Sequence, residues 1–233
     1  MDPIITISNL TKKYGNVIAV DGFNLKLERG SIHGLVGPNG AGKTTMLSIM
    51  SGLRKKTTGE INIGVPIDRI MLMPDTPEFF DFLTTREVVG LARSPFENEI
   101  HQDEVDQVIK KVGLIDSKDR RVGGFSRGMK QRLGLAVTII GNPKLIFLDE
   151  PCSALDPIGR RDVLDIISTL KENSTILFST HILNDIESIC DSVTVVDEGK
   201  TLYEGNISEL TDTEGSFEDA VFQLLQPNRP SSR

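Results

Sequence analysis

Gly37-Pro38-Asn39-Gly40-Ala41-Gly42-Lys43-Thr44 has the spacing G-x-x-x-x-G-K-[ST]. Glycines there let successive backbone N–H groups turn toward one point, and a helix starting at Lys43 adds the partial positive charge of its N-terminus. A loop of this kind, running through Thr45, cradles phosphate. Lys43 brings a full charge to the outer phosphates, and the Thr44 hydroxyl is a Mg²⁺ ligand. A second set of groups lies in Leu145-Ile-Phe-Leu-Asp149-Glu150, an apolar run ending in two acids. This is the pattern of a buried strand that delivers a carboxylate to a phosphate-bound metal. Asp149 is placed to hold Mg²⁺ through water. Glu150, one residue on and pointing the other way, is placed to activate a water toward the terminal phosphorus.

These groups need elements to position them. Ile32–Val36 reads as a buried strand ahead of the loop, and an apolar-periodic helix is expected from about Lys43 to Met50. Further buried strands are predicted near Ile70–Met73, Leu145–Leu148 and Thr175–Phe178, with Val163, Ile166, Ile167 and Leu170 forming the stripe of an intervening helix. Alternating strands and helices imply an α/β fold with a mostly parallel sheet covered on both faces. The first thirty residues alternate apolar and polar, broken at Gly15 and Gly30, and read as antiparallel strands. Between Pro77 and Ile140 the strand signal disappears. Val105, Val108, Ile109 and Val112 make one helical stripe there, and Met129, Leu133, Val137 and Ile140 another. A last strand pair is expected around Val193–Val196 and Lys200–Tyr203.

The chain has 233 residues, 38% of them hydrophobic, an ordinary globular mixture of one to two domains. Its 33 acidic against 26 basic residues give a net charge of −7, which argues against coating nucleic acid. The basic cluster from Lys118 to Arg132 lacks interleaved aromatics and reads as a solvated face, so no nucleic-acid partner is expected. No apolar run approaches the roughly 18 residues of a membrane span. The N-terminus lacks the basic region of a signal peptide. Cys152 and Cys190 are too few for a disulfide framework or a zinc site. A cytoplasmic chain is the expectation.

Several motifs beyond the phosphate loop occur in one order. Tyr14 precedes the loop; Phe125-Ser-Arg-Gly-Met-Lys-Gln-Arg-Leu133 lies just upstream of the Asp149 strand; Ser153-Ala-Leu-Asp-Pro157 follows it; His181 comes after the next strand. From Tyr14 to about Glu209 the chain resembles the nucleotide-binding subunit of an ATP-binding cassette (ABC) transporter. The resemblance implies a P-loop NTPase core that hydrolyses ATP with Mg²⁺. It makes Tyr14 the aromatic that stacks on adenine, and Ser126 and Gly128 the signature groups that bind the γ-phosphate of ATP held by a second subunit. Asp156 falls in the interface loop, which also reads as a helix N-cap ahead of Pro157. His181 is the switch histidine at the γ-phosphate. The partners implied are a second copy or a related ATPase subunit, and a separate transmembrane permease that keeps the protein peripheral on the inner face of the cell membrane.

The organisation this implies is one ABC ATPase domain over 1–227. Residues 1–76 and 141–211 form the α/β core with its N-terminal antiparallel β subdomain, 77–140 the helical subdomain, 212–227 a short C-terminal helical segment, and 228–233 a frayed tail. Two departures from the family pattern stand out. The signature usually reads Leu-Ser-Gly-Gly-Gln, and here it is Phe125-Ser-Arg-Gly-Met129. Asp75 stands where the family usually has a Gln that offers its carbonyl to Mg²⁺; Asp75 is shorter, and is expected either to reach the metal through water or to cap the Thr76-Pro77 turn. Both departures, and the amphipathic Ser216–Leu225, resemble an exporter subgroup, with an importer subunit as the alternative. One phosphate loop, and no room for coiled coils between Thr45 and Phe125, argue against ribosomal and chromosomal relatives. The missing Asn-Lys-x-Asp motif argues against a GTPase. The resemblance places substrate selectivity in the transmembrane partner, so this sequence does not identify the cargo.

Overall fold

A computed structural model describes residues 2–96, 100–153 and 155–226, without the side chains of 212–214. The predicted frayed tail lies outside the described residues. The fold is mixed α/β, and it divides into two compact units, Met1–Gly64 with Leu177–Arg233, and Val65–Ile176.

In the first unit β1 (Pro3–Tyr14) and β2 (Val17–Glu28) form the expected antiparallel hairpin, with Tyr14 opposite Val17 at its tip. The unit's next strand, β3 (Ile32–Val36), is buried along its whole length and leads to α1 (Lys43–Met50). A strand not read from the sequence, β4 (Thr58–Ile63), pairs antiparallel with the other edge of β1. Only alternate residues of β4 are partly covered, so its apolar signal is diluted by half.

In the second unit β5 (Ile70–Met73) runs parallel to β6 (Leu145–Asp149), Ile70 opposite Leu145 and Met73 opposite Leu148. Four helices belong to the same unit, α2 (Thr85–Arg93), α3 (Asp103–Lys111), α4 (Arg127–Ile139) and α5 (Pro157–Leu170); α2, α3 and α4 pack on one another, and α4 packs on β5. The predicted stripes are their inner faces, for Val105, Ile109, Val112, Leu133 and Ile167 are wholly buried. A capping box starts α2, in which Thr84 accepts from the Glu87 N–H and the Glu87 carboxylate accepts from the Thr84 N–H. The Arg86 guanidinium grips Asp106 through two bonds of 2.9 and 2.8 Å, and Lys118 adds a third at 3.0 Å.

The chain re-enters the first unit along β7 (Thr175–Thr180), continues through α6 (Leu183–Ile189), and then forms β8 (Ser192–Asp197) and β9 (Lys200–Asn206). β8 pairs parallel with β3 and antiparallel with β9. Gly34 of β3 lets α6 approach closely, since a Cβ there would lie 2.3 Å from Ile186 Cδ1 and that side chain would have to shift. The helices α7 (Ile207–Glu214), absent from the sequence reading as a separate element, and α8 (Phe217–Leu225) close the unit. Among the described residues no helix is long and apolar enough to cross a membrane.

His33 is the one histidine in the buried core. Its Nδ1 and Nε2 each meet a hydroxyl at 2.7 Å, those of Ser192 and Thr194, so the neutral ring is fully satisfied. Burial pushes its pKa down to about 4, against a smaller opposing pull from Asp191. The native state therefore refuses a proton that the unfolded chain accepts below pH 6.5. This share of stability is complete above that pH and is lost as the pH falls toward 4. By linkage the loss reaches about 3 kcal/mol. Denaturant melts should show the stability gap between the wild type and His33→Gln closing by about that amount between pH 7 and 4; parallel acid profiles would exclude His33 as the cause.

Candidate functional site

The turn between β3 and α1 closes on itself. Ala41 N–H donates to Pro38 O at 3.2 Å, and the Lys43 ammonium donates to Gly37 O at 2.8 Å and Pro38 O at 3.2 Å. Lys43 is 6% exposed, so its charge is held inside the loop rather than spread into solvent. Gly42 caps α1 in a left-handed conformation, φ 97°, with no side-chain bond to the first-turn amides and no acid in that turn. Such a helix end attracts anions. Thr44 is exposed one residue into the helix and Thr45 partly covered; Pro38, Asn39 and Gly40 form the exposed rim.

The other predicted residues of this unit sit at element ends. Tyr14 closes β1, 40% exposed, with Lys12 Nζ 4.7 Å from its ring centroid. Arg54 Nη1 donates to the Tyr14 hydroxyl at 2.9 Å. Two cations thus fix the ring's tilt and its hydroxyl, and sequence spacing did not reveal them. His181 is exposed just beyond β7, where Thr180 Oγ1 accepts from the Ile182 N–H.

In the second unit Asp149 ends β6 and is 3% exposed. Glu150 follows with φ 48°, a left-handed conformation that costs a non-glycine residue roughly 1–2 kcal/mol. Ser126 is the N-cap of α4, where its Oγ accepts from the Met129 N–H and its own O–H is a donor on an exposed helix end. Gly128 lies against Leu155, whose Cδ2 would be 3.0 Å from an added Cβ. Asp156 caps α5 through Gly159 N–H at 2.7 Å, with Pro157 at the first helical position as expected. Asp75 does not cap the Thr76-Pro77 turn through any described contact; its Oδ1 accepts a 2.7 Å bond from Ser153 Oγ.

The Thr44 hydroxyl and the Asp149 carboxylate are hard oxygen donors. Among the described residues no three His, Cys, Asp or Glu side chains group to hold a metal. This chemistry fits Mg²⁺, which takes one or two protein oxygens and fills its octahedron with phosphate and water.

A groove of about 600 Å³ opens beside α2, lined by Phe79, Phe80, Leu83, Val88, Leu91 and Val137 together with Glu78. Phe80 and Phe82 are 68% and 67% exposed and stack at 5.5 Å. The sequence did carry a signal for it, since three of only ten phenylalanines fall within Phe79-Phe80-Asp-Phe82.

The ABC transporter family model matches residues 20–153. The bacitracin transport ATP-binding protein BcrA of Bacillus licheniformis is 37% identical over 98% of this chain and 78% of its own length. The lantibiotic transport ATP-binding protein SrtF of Streptococcus pyogenes is 34% identical over 92% of this chain and 99% of its own. A solved ATP-binding subunit of an ABC transporter superposes with a TM-score of 0.85 at 25% identity, covering 95% of this chain and 99% of that one.

Gly37 is needed for space rather than for a special φ. A Cβ there would lie 2.2 Å from Val196 O and 3.0 Å from Val196 Cγ2. Gly15, at φ 57°, has open space around it. Thermal melts of Gly37→Ala and Gly15→Ala should therefore differ: about 2–3 kcal/mol lost for the first by overpacking, and about 1 kcal/mol for the second by backbone strain. Equal losses would mean that Val196 does not set the loop's path.

Proposed function

The chain belongs to the ABC transporter family as an ATP-binding, ATP-hydrolysing transport subunit, and we propose that it works as a two-fold dimer around two Mg·ATP to drive a separate permease, in the exporter direction. On this reading residues 1–227 act as one ATPase domain, peripheral on the cytoplasmic face of the membrane through its partner. The observation that carries the reading is the closed loop of Gly37–Thr45, with a buried lysine and a helix start that has neither a side-chain cap nor an acid in its first turn.

Tyr14 stacks on adenine, a contact worth about 1–3 kcal/mol. Loop amides and Lys43 bind the phosphates. Thr44 and Asp149 would hold Mg²⁺, which would supply positive charge to offset that of the phosphates. Water attacks the γ-phosphorus as the bond to the bridging oxygen breaks; Glu150 takes the water's proton, and His181 steadies the γ-phosphate. Ser126 and Gly128 contact the γ-phosphate held by the partner subunit, and Asp156 lies at the interface. Their support is an exposed hydroxyl donor at the start of a 13-residue helix with no acid in its first turn. The aromatic groove beside α2 is the surface we assign to the permease, because it is apolar, concave and exposed. Relatives named for bacitracin and lantibiotic transport support the transport role.

Glu150→Gln keeps the side chain's shape and removes the base. Its ATP turnover should fall by about 10²–10⁴-fold, while ATP-bound dimers accumulate on size-exclusion chromatography; wild-type turnover in this variant would remove Glu150 from the mechanism. Ser126→Arg should abolish ATP-induced dimers and leave ATP binding by the monomer intact. Loss of monomer binding in that variant would place Ser126 in its own subunit's site and end the sandwich arrangement.

A further inference from the structure

The loop leaving β6 holds a contact that the steps above do not use. Ser153 Oγ donates to Asp75 Oδ1 at 2.7 Å, and the backbone N–H of the same serine donates to Glu150 O at 3.1 Å. Gln131 of α4, 1% exposed, donates to that carbonyl too, at 3.4 Å. Glu150 itself sits at φ 48°, a conformation that persists only where the surroundings impose it. One peptide carbonyl is thus fixed from two sides, by a buried glutamine and by a serine whose side chain is anchored on Asp75.

We propose that Asp75 is a positioning residue for Glu150. It holds Ser153, Ser153 holds the turn that begins at Glu150, and that turn aims the Glu150 carboxylate. The inference rests on Glu150 being the hydrolytic base. It gives Asp75 a task different from that of a metal ligand, and it explains why a side chain shorter than glutamine suits position 75: the partner is the neighbouring loop. The Ser153–Asp75 bond is short and charge-assisted, the stronger kind of hydrogen bond. Asn at 75 keeps an acceptor oxygen at the same reach, so it should keep the contact. Ala at either end removes it.

The test uses the full chain as Asp75→Ala, Asp75→Asn, Ser153→Ala and the double Ala variant. ATPase kinetics, Mg²⁺ titration and amide hydrogen exchange are read for each. Both single Ala variants should lose about tenfold in kcat, the scale expected for a small misplacement of a reacting group. KM for ATP and the Mg²⁺ concentration for half-activity should stay unchanged. The double variant should be no slower than either single one, since both remove the same bond. Asp75→Asn should recover most of the rate. Exchange over residues 151–156 should quicken equally in the two Ala variants, with or without turnover. A raised Mg²⁺ requirement in Asp75→Ala but not in Ser153→Ala would overturn the proposal and make Asp75 a metal ligand. Multiplying losses, or unchanged exchange, would overturn it as well. A wild-type chain without ATPase activity would instead overturn the role of Glu150, and the positioning role with it.

Discussion

Around the phosphate loop, stretches of main chain come closer together than any side chain allows. A Cβ on Gly42 would lie 2.5 Å from Ala19 O, one on Gly199 2.9 Å from the same oxygen, and one on Gly37 2.2 Å from Val196 O. In the space so freed, Gly199 N–H donates to Ala41 O at 3.0 Å and Asp21 N–H donates to Gly199 O at 2.9 Å. The loop is therefore bolted by one peptide hydrogen bond to the β8–β9 turn, which a second ties to β2. Peptide hydrogen bonds are stiff and have no rotamers to lose, so they hold the direction of the loop's amides, and the Lys43 ammonium adds two further bonds to the loop's carbonyls. Preorganised donors of this kind stabilise charge without reorganising when it arrives. The Lys43 ammonium, buried inside the same turn, adds the full charge.

Helix ends divide along the same physical line. The first turns of α2 and α3 carry acids, Glu87 in one and Asp103, Glu104 and Asp106 in the other, which neutralise the helix dipole locally. The first turns of α1, α4 and α5 carry none, but α5 has the acid Asp156 as its N-cap, which leaves α1 and α4. These two are the ends to which phosphate contacts are assigned. Arg127, next to Ser126, increases the positive potential at α4, so the departure from the usual signature glycine leaves its preference for anions intact.

Much of this was legible in the sequence because it depends on local periodicity. β3, β5 and β6 are short apolar runs with turn residues after them, and α3, α4 and α5 show one apolar stripe each. The loop and the Asp149-Glu150 pair are legible by spacing alone. What escaped has a common cause. β4 shields only alternate residues, so its pattern is weak in a short segment. The cations around Tyr14 include Arg54, 40 residues away, and Asp75 meets Ser153 across 78 residues. The first is set by where the chain after α1 returns to the end of β1, the second by how β5 and β6 lie side by side, and no spacing rule encodes either. The helix-cap reading of Asp156 succeeded because an N-cap needs only its own next three residues.

The stacked Phe80 and Phe82, with Leu91 beside them at 61% exposure, bear on how much of this protein a cell can carry. Uncovered aromatic surface of this kind stays in water only at a free-energy cost, and it relieves that cost by sticking to whatever apolar surface it meets. Copies synthesised beyond the supply of a covering subunit would meet chiefly one another or the quality-control machinery. On the proposed assignment of this groove to a permease, stoichiometric synthesis of the two subunits, rather than greater stability of this one, is the safeguard against aggregation.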